Sequence, residues 1–202
     1  VKMGFPQWSH DGRWIAFARY KEDGAELWVV NAATAEAKPL TPAILNSILG
    51  SGLGWLPDSR HLLVQSIVEA RGNPPQPPAV PLGPVIEENY GKVSKVATYQ
   101  DLLKSPYDDS LFEYYATSQL IEVDAASGAV RKIGLPGVYL FADSSPDGNY
   151  LLVQRIKKPF SHSVPYFNFA HTLEVWNKDG ELVKILADLP AAEEVPLNGV
   201  PT

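Results

Sequence analysis

Cysteine is absent from the 202 residues, which excludes disulfides, thiolate metal sites and a cysteine nucleophile, but does not distinguish cytosol from an exported compartment. Histidine is scarce. The four, His10, His61, His162 and His171, form neither His-x-x-x-His nor His-Glu-x-x-His, so no metal site is expected. No apolar run approaches the roughly eighteen residues that span a bilayer, and no basic-then-apolar leader stands at the start, so no membrane contact is expected. The largest basic cluster is Arg155 with Lys157 and Lys158, against a formal charge of −6, which disfavours nucleic-acid binding. A Gly-x-Ser-x-Gly nucleophile elbow is also missing. Gly50-Ser51-Gly52-Leu53-Gly54 has the wrong spacing for one, and lacks the Lys-Ser/Thr that would make it a phosphate loop. These absences leave the chain with no catalytic residue and no cofactor of its own.

A content of 45% hydrophobic and 10% aromatic residues is enough for a sizeable core. Eighteen prolines and fifteen glycines are spread along the chain with only short apolar runs between them, a pattern of strands and turns. The expected class is all-β.

One pattern recurs three times: Gln7-Trp8-Ser9-His10-Asp11-Gly12-Arg13-Trp14, Gly54-Trp55-Leu56-Pro57-Asp58-Ser59-Arg60-His61 and Asp143-Ser144-Ser145-Pro146-Asp147-Gly148-Asn149-Tyr150. Each reads as strand, tight turn, strand. Proline or its substitute presets the first turn residue, Asp bonds nearby backbone, and Gly supplies positive φ. His10 occupies the proline slot and His61 starts a strand, so both read as structural. Alternating strands follow or precede these turns, Glu26–Asn31, Gln119–Asp124 and Thr172–Asn177, and each runs into a second tight turn and a further strand such as Glu181–Leu186. Four short antiparallel strands per unit result. Asp58 lies 47 residues after Asp11, within the roughly 40 to 50 of one β-propeller blade.

The next step, from Asp58 to Asp147, is 89 residues, and its sequence argues for one blade with a large insertion, residues 71–117. Arg71-Gly72-Asn73-Pro74-Pro75-Gln76-Pro77-Pro78 cannot be a central strand because proline lacks the ladder donor. Thr98 can cap a short helix through Leu103, and Ser105-Pro106-Tyr107-Asp108 has the cap, first-turn proline and early acid of a second helix through Tyr115. The expected architecture is a partial propeller over residues 1–202, about three four-stranded antiparallel blades with a small helical insertion. Val1 and the end at Val200-Pro201-Thr202 look like fragment boundaries.

The three turns resemble the repeats of TolB-like propellers. Pro84-Val85-Ile86-Glu87-Glu88-Asn89, Thr98-Tyr99-Gln100-Asp101-Leu102-Leu103-Lys104 and Leu111-Phe112-Glu113-Tyr114-Tyr115-Ala116-Thr117-Ser118-Gln119-Leu120 resemble the glutamyl endopeptidase branch of the prolyl oligopeptidase family. The resemblance implies a serine peptidase whose N-terminal propeller covers a C-terminal α/β-hydrolase domain and which cleaves after acidic residues. The catalytic triad would lie in that domain, which this chain does not contain. Partners implied are a peptide substrate and either the hydrolase domain or a complementary propeller fragment. A non-enzymatic TolB-like propeller that binds protein or peptide partners remains a rival, as does the propeller of an acylaminoacyl or dipeptidyl peptidase.

Recognition of an acidic side chain needs a positive partner. The candidates are Arg71, Arg155 and Lys157, with Lys158 beside them. Strand alternation places Arg155 and Lys157 on one side. His162, in a connection near Phe160, Tyr166 and Phe167, is a further candidate substrate contact. The paired acids Glu87-Glu88, Asp108-Asp109 and Glu193-Glu194 read as solvated faces or helix caps.

Overall fold

The computed structural model describes residues 2–79 and 101–193. Eleven strands and one α-helix follow in order: β1 (Lys2–Trp8), β2 (Trp14–Lys21), β3 (Gly24–Asn31), β4 (Ala37–Pro39), β5 (Leu53–Trp55), β6 (His61–Ile67), α1 (Pro106–Ala116), β7 (Thr117–Asp124), β8 (Val130–Ser144), β9 (Tyr150–Ile156), β10 (His171–Asn177) and β11 (Leu182–Leu189). A short 3-10 helix, Tyr166–Asn168, precedes β10.

The strands form three antiparallel four-stranded blades. Blade one is β1-β2-β3-β4, and the rest is a single seven-stranded sheet running from β5 to β11 in sequence order. That sheet is two blades joined by β8, whose residues 130–138 pair with β7 and whose residues 139–144 pair with β9. The joint is not visible in the spacing of the turns. Its register shift falls between Ser118 and Leu120, opposite Gly134-Leu135-Pro136, where a bulge tolerates both a proline and a glycine at φ 59°.

Burial follows the strand period of two. Ala16 and Ala18 of β2 and Ala25, Leu27 and Val29 of β3 face Leu53, Trp55, Leu62, Val64, Ile121 and Val123 of blade two in one core. Leu63, Leu120 and Ile133 meet Tyr139, Leu151, Val153 and Trp176 of blade three in a second. Inner strands are also laced by hydrogen bonds: Gln7 Nε2 donates to the Leu53 carbonyl at 2.9 Å, and Trp55 Nε1 donates to the Gln7 carbonyl at 3.1 Å.

The repeated turn does what its residues dictate. The Asp11 carboxylate accepts from Arg13 N at 3.0 Å and from Ser9 Oγ at 2.7 Å, while Ser9 Oγ accepts from Trp14 N. Ser145 and Asp147 repeat the arrangement, and the Ser145 hydrogen bond helps bring Asp147 down to about 2. In the middle copy Ser59, not glycine, takes the left-handed position at φ 57°, and its hydroxyl accepts from Asp11 N at 3.0 Å. The first turns of blades one and two are thus joined directly, and Gly148 in the third approaches Pro57.

Two features depart from expectation or extend it. The second helix forms as α1, but the described tail of the first, residues 101–103, is irregular. Asp101 has φ 59°, which a right-handed helix cannot absorb; residues 98–100 lie outside the described residues. The other feature is the outer face of each end blade. Trp8, Ile15, Phe17, Trp28 and Val30 of blade one, and Phe141, Tyr150, Leu152, Leu173 and Val175 of blade three, point away from the two inter-blade cores and stay exposed or half-buried.

Uncovered apolar sheet faces of this size drive association. We expect the 202-residue chain in isolation to sediment as a dimer or larger species; a monodisperse monomer at micromolar concentration contradicts this. A second test addresses the joint. A Cβ on Gly180, which has φ 86°, would lie 2.1 Å from the Gly134 backbone nitrogen, whereas one on Gly12 meets nothing within 4 Å. Gly180→Ala should therefore cost about 3 kcal/mol in urea unfolding, against about 1 kcal/mol for Gly12→Ala.

Candidate functional site

Within an antiparallel blade, the turn from first to second strand and that from second to third lie at opposite ends. The repeated Asp turns occupy one end of all three blades. The other end carries the elaborations: the chain leaves blade two after Ile67 and re-enters it at Thr117, and residues 157–170 connect β9 to β10 in blade three.

The local sequence builds α1 for this place. Ser105 is the N-cap, its Oγ accepting from Asp108 N at 3.2 Å, with Pro106 in the first turn. Asp108 returns the bond, accepting from Lys104 N at 2.9 Å and from Ser105 Oγ at 3.0 Å. Phe112 then stands edge-on to Phe160 and Phe169, with centroids 4.9 and 5.5 Å away. With Ala116, Val138, Ile156 and Val164 these rings make a third core under the cap. Lys158 pairs with Glu113 at 2.5 Å, His162 Nε2 with Asp109 at 2.8 Å, and Ser161 Oγ donates to Glu193 at 2.6 Å. The helix and the blade-three connection are one packed unit.

The structure separates the sequence-derived cations by what holds them. Arg155 Nη2 lies 3.0 Å from Glu174, a carboxylate with 1% of its surface exposed, which also accepts from Thr172 Oγ1 at 2.5 Å and Trp176 Nε1 at 2.7 Å. Burial alone would raise the Glu174 pKa, but these hydrogen bonds and the Arg155 charge outweigh it and leave it below the ordinary value. Lys157, just past the end of β9, pairs with Asp188. His162 is bound to Asp109, as above. Arg71 differs: Nε donates to the Tyr114 carbonyl at 2.7 Å, the guanidinium lies 4.3 Å from the Tyr114 ring centroid and 5.1 Å from that of Tyr115, and the enclosed Nη2 has no partner among the described residues. Arg71 and His162 therefore share the cap, while Arg155 is committed inside blade three.

Beside the cap runs a groove of about 440 Å³ lined by Ile48, Leu103, Lys104, Leu111, Phe112 and Tyr115 among others. A larger cleft, about 520 Å³, lies between blades two and three at the turn end. There Arg131 bridges Glu122 at 2.8 Å to Asp179 at 3.1 Å, and His61 lies 2.6 Å from Asp58 and 3.5 Å from Asp124. Asp124 is held well below the usual carboxylate range, chiefly by the Ser127 backbone amide; burial opposes this, and Arg60 assists it. Among the described residues no group of three or more His, Cys, Asp or Glu is placed to hold a metal ion.

The engagement of Glu174 had a readable signal that the turn repeat obscured. Glu26-Leu27-Trp28 and Glu174-Val175-Trp176 place acid and indole two apart on one strand face, and in both the indole N–H donates to that acid. The tyrosines around Arg71 had no such signal, since 43 positions separate Arg71 from Tyr114.

No family model matches the chain. A "Probable glutamyl endopeptidase, chloroplastic" from Oryza sativa subsp. japonica is 43% identical over 207 residues, covering 98% of this chain and 22% of that protein. Its counterpart from Arabidopsis thaliana is 42% identical over 205 residues, covering 97% and 21%. Over nearly its whole length the chain is similar to one region of these probable glutamyl endopeptidases, and its blades give that region a propeller fold. It spans about a fifth of the length of these curated relatives. The fold agrees: the β-propeller domain of the trilobed protease from Pyrococcus furiosus aligns with a TM-score of 0.51 and 17% identity, over 93% of this chain and 43% of that one.

Because the folded-state pKa of Glu174 is depressed, its contribution to stability is fully present above the unfolded value, about 4.3, and is lost as pH falls through the folded value. Unfolding free energy should therefore decline on acidification below about pH 4, and Glu174→Gln should flatten part of that decline. Arg155→Met, which strands a buried carboxylate, should cost about 3 kcal/mol at pH 7. Urea titrations at stepped pH measure all three.

Proposed function

We propose that this chain is the propeller portion of a serine peptidase that cleaves peptides next to acidic residues, and that it acts as a lid and size filter over an α/β-hydrolase domain carried elsewhere in the same polypeptide. The observation that carries this reading is 43% identity over essentially the whole chain to a probable glutamyl endopeptidase, of which the chain spans only a fraction. The chemistry of the chain supports a non-catalytic part in the reaction. Among the described residues, the turn aspartates, Glu174, Asp108, Asp109, His61 and His162 are engaged in turns, caps and ion pairs, and the elaborations gather at one end of the blades, where a covering domain or an incoming peptide would meet them.

Substrate contact is assigned to the cations of this region, Arg71, Arg155, Lys157 and His162. Their availability is unequal. Arg155, Lys157 and His162 each have a carboxylate of this chain within ion-pair distance, and would have to exchange it for a substrate acid. Arg155 exchanges at high cost, because the buried Glu174 carboxylate left behind would lose its cation. Arg71 has no carboxylate partner to exchange among the described residues.

The test is the full-length gene product assayed on peptides identical except for Glu, Asp, Gln, Pro or Lys before the scissile bond. We expect kcat/KM for Glu and Asp to exceed that for Gln by at least about a hundredfold, the discrimination available when a site is built around a charge-assisted hydrogen bond. The same enzyme should cut an unfolded protein chain slowly relative to a short peptide of the same cleavage sequence. Equal rates on Glu and Gln overturn the specificity; equal rates on short and long chains overturn the filter.

A further inference from the structure

Arg71 stands at the neck of the insertion, four residues after β6, and meets the last turn of α1 just before the chain re-enters the sheet as β7. The neck is already closed without its outer nitrogens. Tyr114 Oη donates to the Gly72 carbonyl at 2.9 Å, and Asn46 Nδ2 donates to the Tyr115 and Thr117 carbonyls at 2.9 and 3.2 Å. Arg71 adds one further tie, through Nε to the Tyr114 carbonyl. Two aromatic faces hold its guanidinium plane, an arrangement that favours the cation and fixes its orientation. What remains is Nη2, the only enclosed side-chain nitrogen or oxygen among the described residues that lacks a hydrogen-bond partner. An enclosed guanidinium N–H without an acceptor is costly, so its retention calls for a use.

Tyr115 supplies the connection to a ligand. Its ring lies over Arg71 and also lines the groove with Ile48, Leu103 and Phe112, and it remains 43% exposed. Two acids line the groove: Asp108 is spent capping α1, while Asp101 shares the groove with Lys104.

We propose that Arg71, with Tyr114 and Tyr115, is the acceptor for an acidic side chain of a peptide lying in the groove, and so sets charge preference for the whole enzyme. This rests on the peptidase reading above. The apolar walls hold the peptide's aliphatic atoms, Tyr115 swings aside, and the carboxylate takes the Nη2 hydrogen bond within a guanidinium already oriented by Tyr114. Arg71 is a specificity residue, distant in role from the reacting atoms.

Binding is measured on the full-length gene product treated with a serine-directed fluorophosphonate, and turnover on the untreated protein, using a dye-labelled blocked peptide with a central Glu and its Gln isostere. Equilibrium anisotropy should show the Glu peptide bound about tenfold or more tightly than the Gln peptide, the gain of one charge-assisted bond in a shielded site. In Arg71→Met that ratio should fall to about one, with Gln-peptide affinity unchanged; Arg71→Lys should retain part of the ratio, since an ammonium lacks the planar fork. Tyr115→Leu, which leaves the Arg71 backbone tie intact, should lower the ratio without loss of fold and stands in if Arg71→Met does not fold. A ratio unchanged by Arg71→Met, or by Tyr115→Leu where that variant stands in, overturns the proposal, as does an equal loss for both peptides, the outcome for a residue that only braces the neck. Absence of peptidase activity with the Glu preference intact defeats the peptidase reading and leaves the carboxylate site standing.

Discussion

A four-stranded antiparallel sheet has two faces, and only a second sheet laid against one of them keeps its apolar residues from water. Everything else in this chain depends on that face-to-face packing. Blade one offers a smooth face of Ala16, Ala18 and Ala25, which lets Leu62, Val64 and Trp55 of blade two approach closely; blade three offers Tyr139 and Trp176, bulky rings that fit over Leu63 and Leu120. A fully buried leucine such as Leu27 or Leu62 contributes about 2 kcal/mol by leaving water, so each interface is held by several such residues. The same rule leaves the outer faces of blades one and three unsatisfied. The radial arrangement repeats until a ring closes, and three blades are part of it.

The polar groups obey a parallel constraint. A turn that reverses the chain in a few residues strands backbone amides, and the Asp turns meet this locally, one carboxylate taking the amide two residues ahead. Ser59 shows the strength of that solution: it bears the cost of a left-handed backbone, and the hydroxyl it contributes binds the neighbouring turn. Glu174 is the interior version. Its carboxylate is shielded from water, but three donors surround it, and that is why it remains ionised.

The blades, their order and the capped helix α1 were legible because each is written locally: a turn of fixed chemistry, a strand period of two, a Ser-Pro start three residues before an acid. What escaped was non-local. Nothing near Leu135-Pro136-Gly137 states that one strand serves two blades, since the bulge depends on register against β7. The helix expected from a cap at Thr98 meets a positive φ at Asp101, which no residue of that local sequence announces. The cations show the same division. Composition could nominate Arg71, Arg155, Lys157 and His162 alike; only the fold brings Glu174, Asp188 and Asp109 to the last three and a pair of tyrosines to the first.

That division follows from where an insertion can enter a propeller. A connection between second and third strands emerges at the end of the blade opposite the repeated Asp turns, so insertions in neighbouring blades arrive side by side and must pack against each other or expose their apolar residues. Phe112 from one and Phe160 from the next do pack, and ion pairs from Glu113 and Asp109 tie their rims. The cap uses Glu113 and Asp109 to neutralise Lys158 and His162, and Arg71 is left with an enclosed donor that has no partner among the described residues. Arg71 is held at the neck by the Tyr114 carbonyl and the two tyrosine rings, and no carboxylate of the described residues pairs with it there.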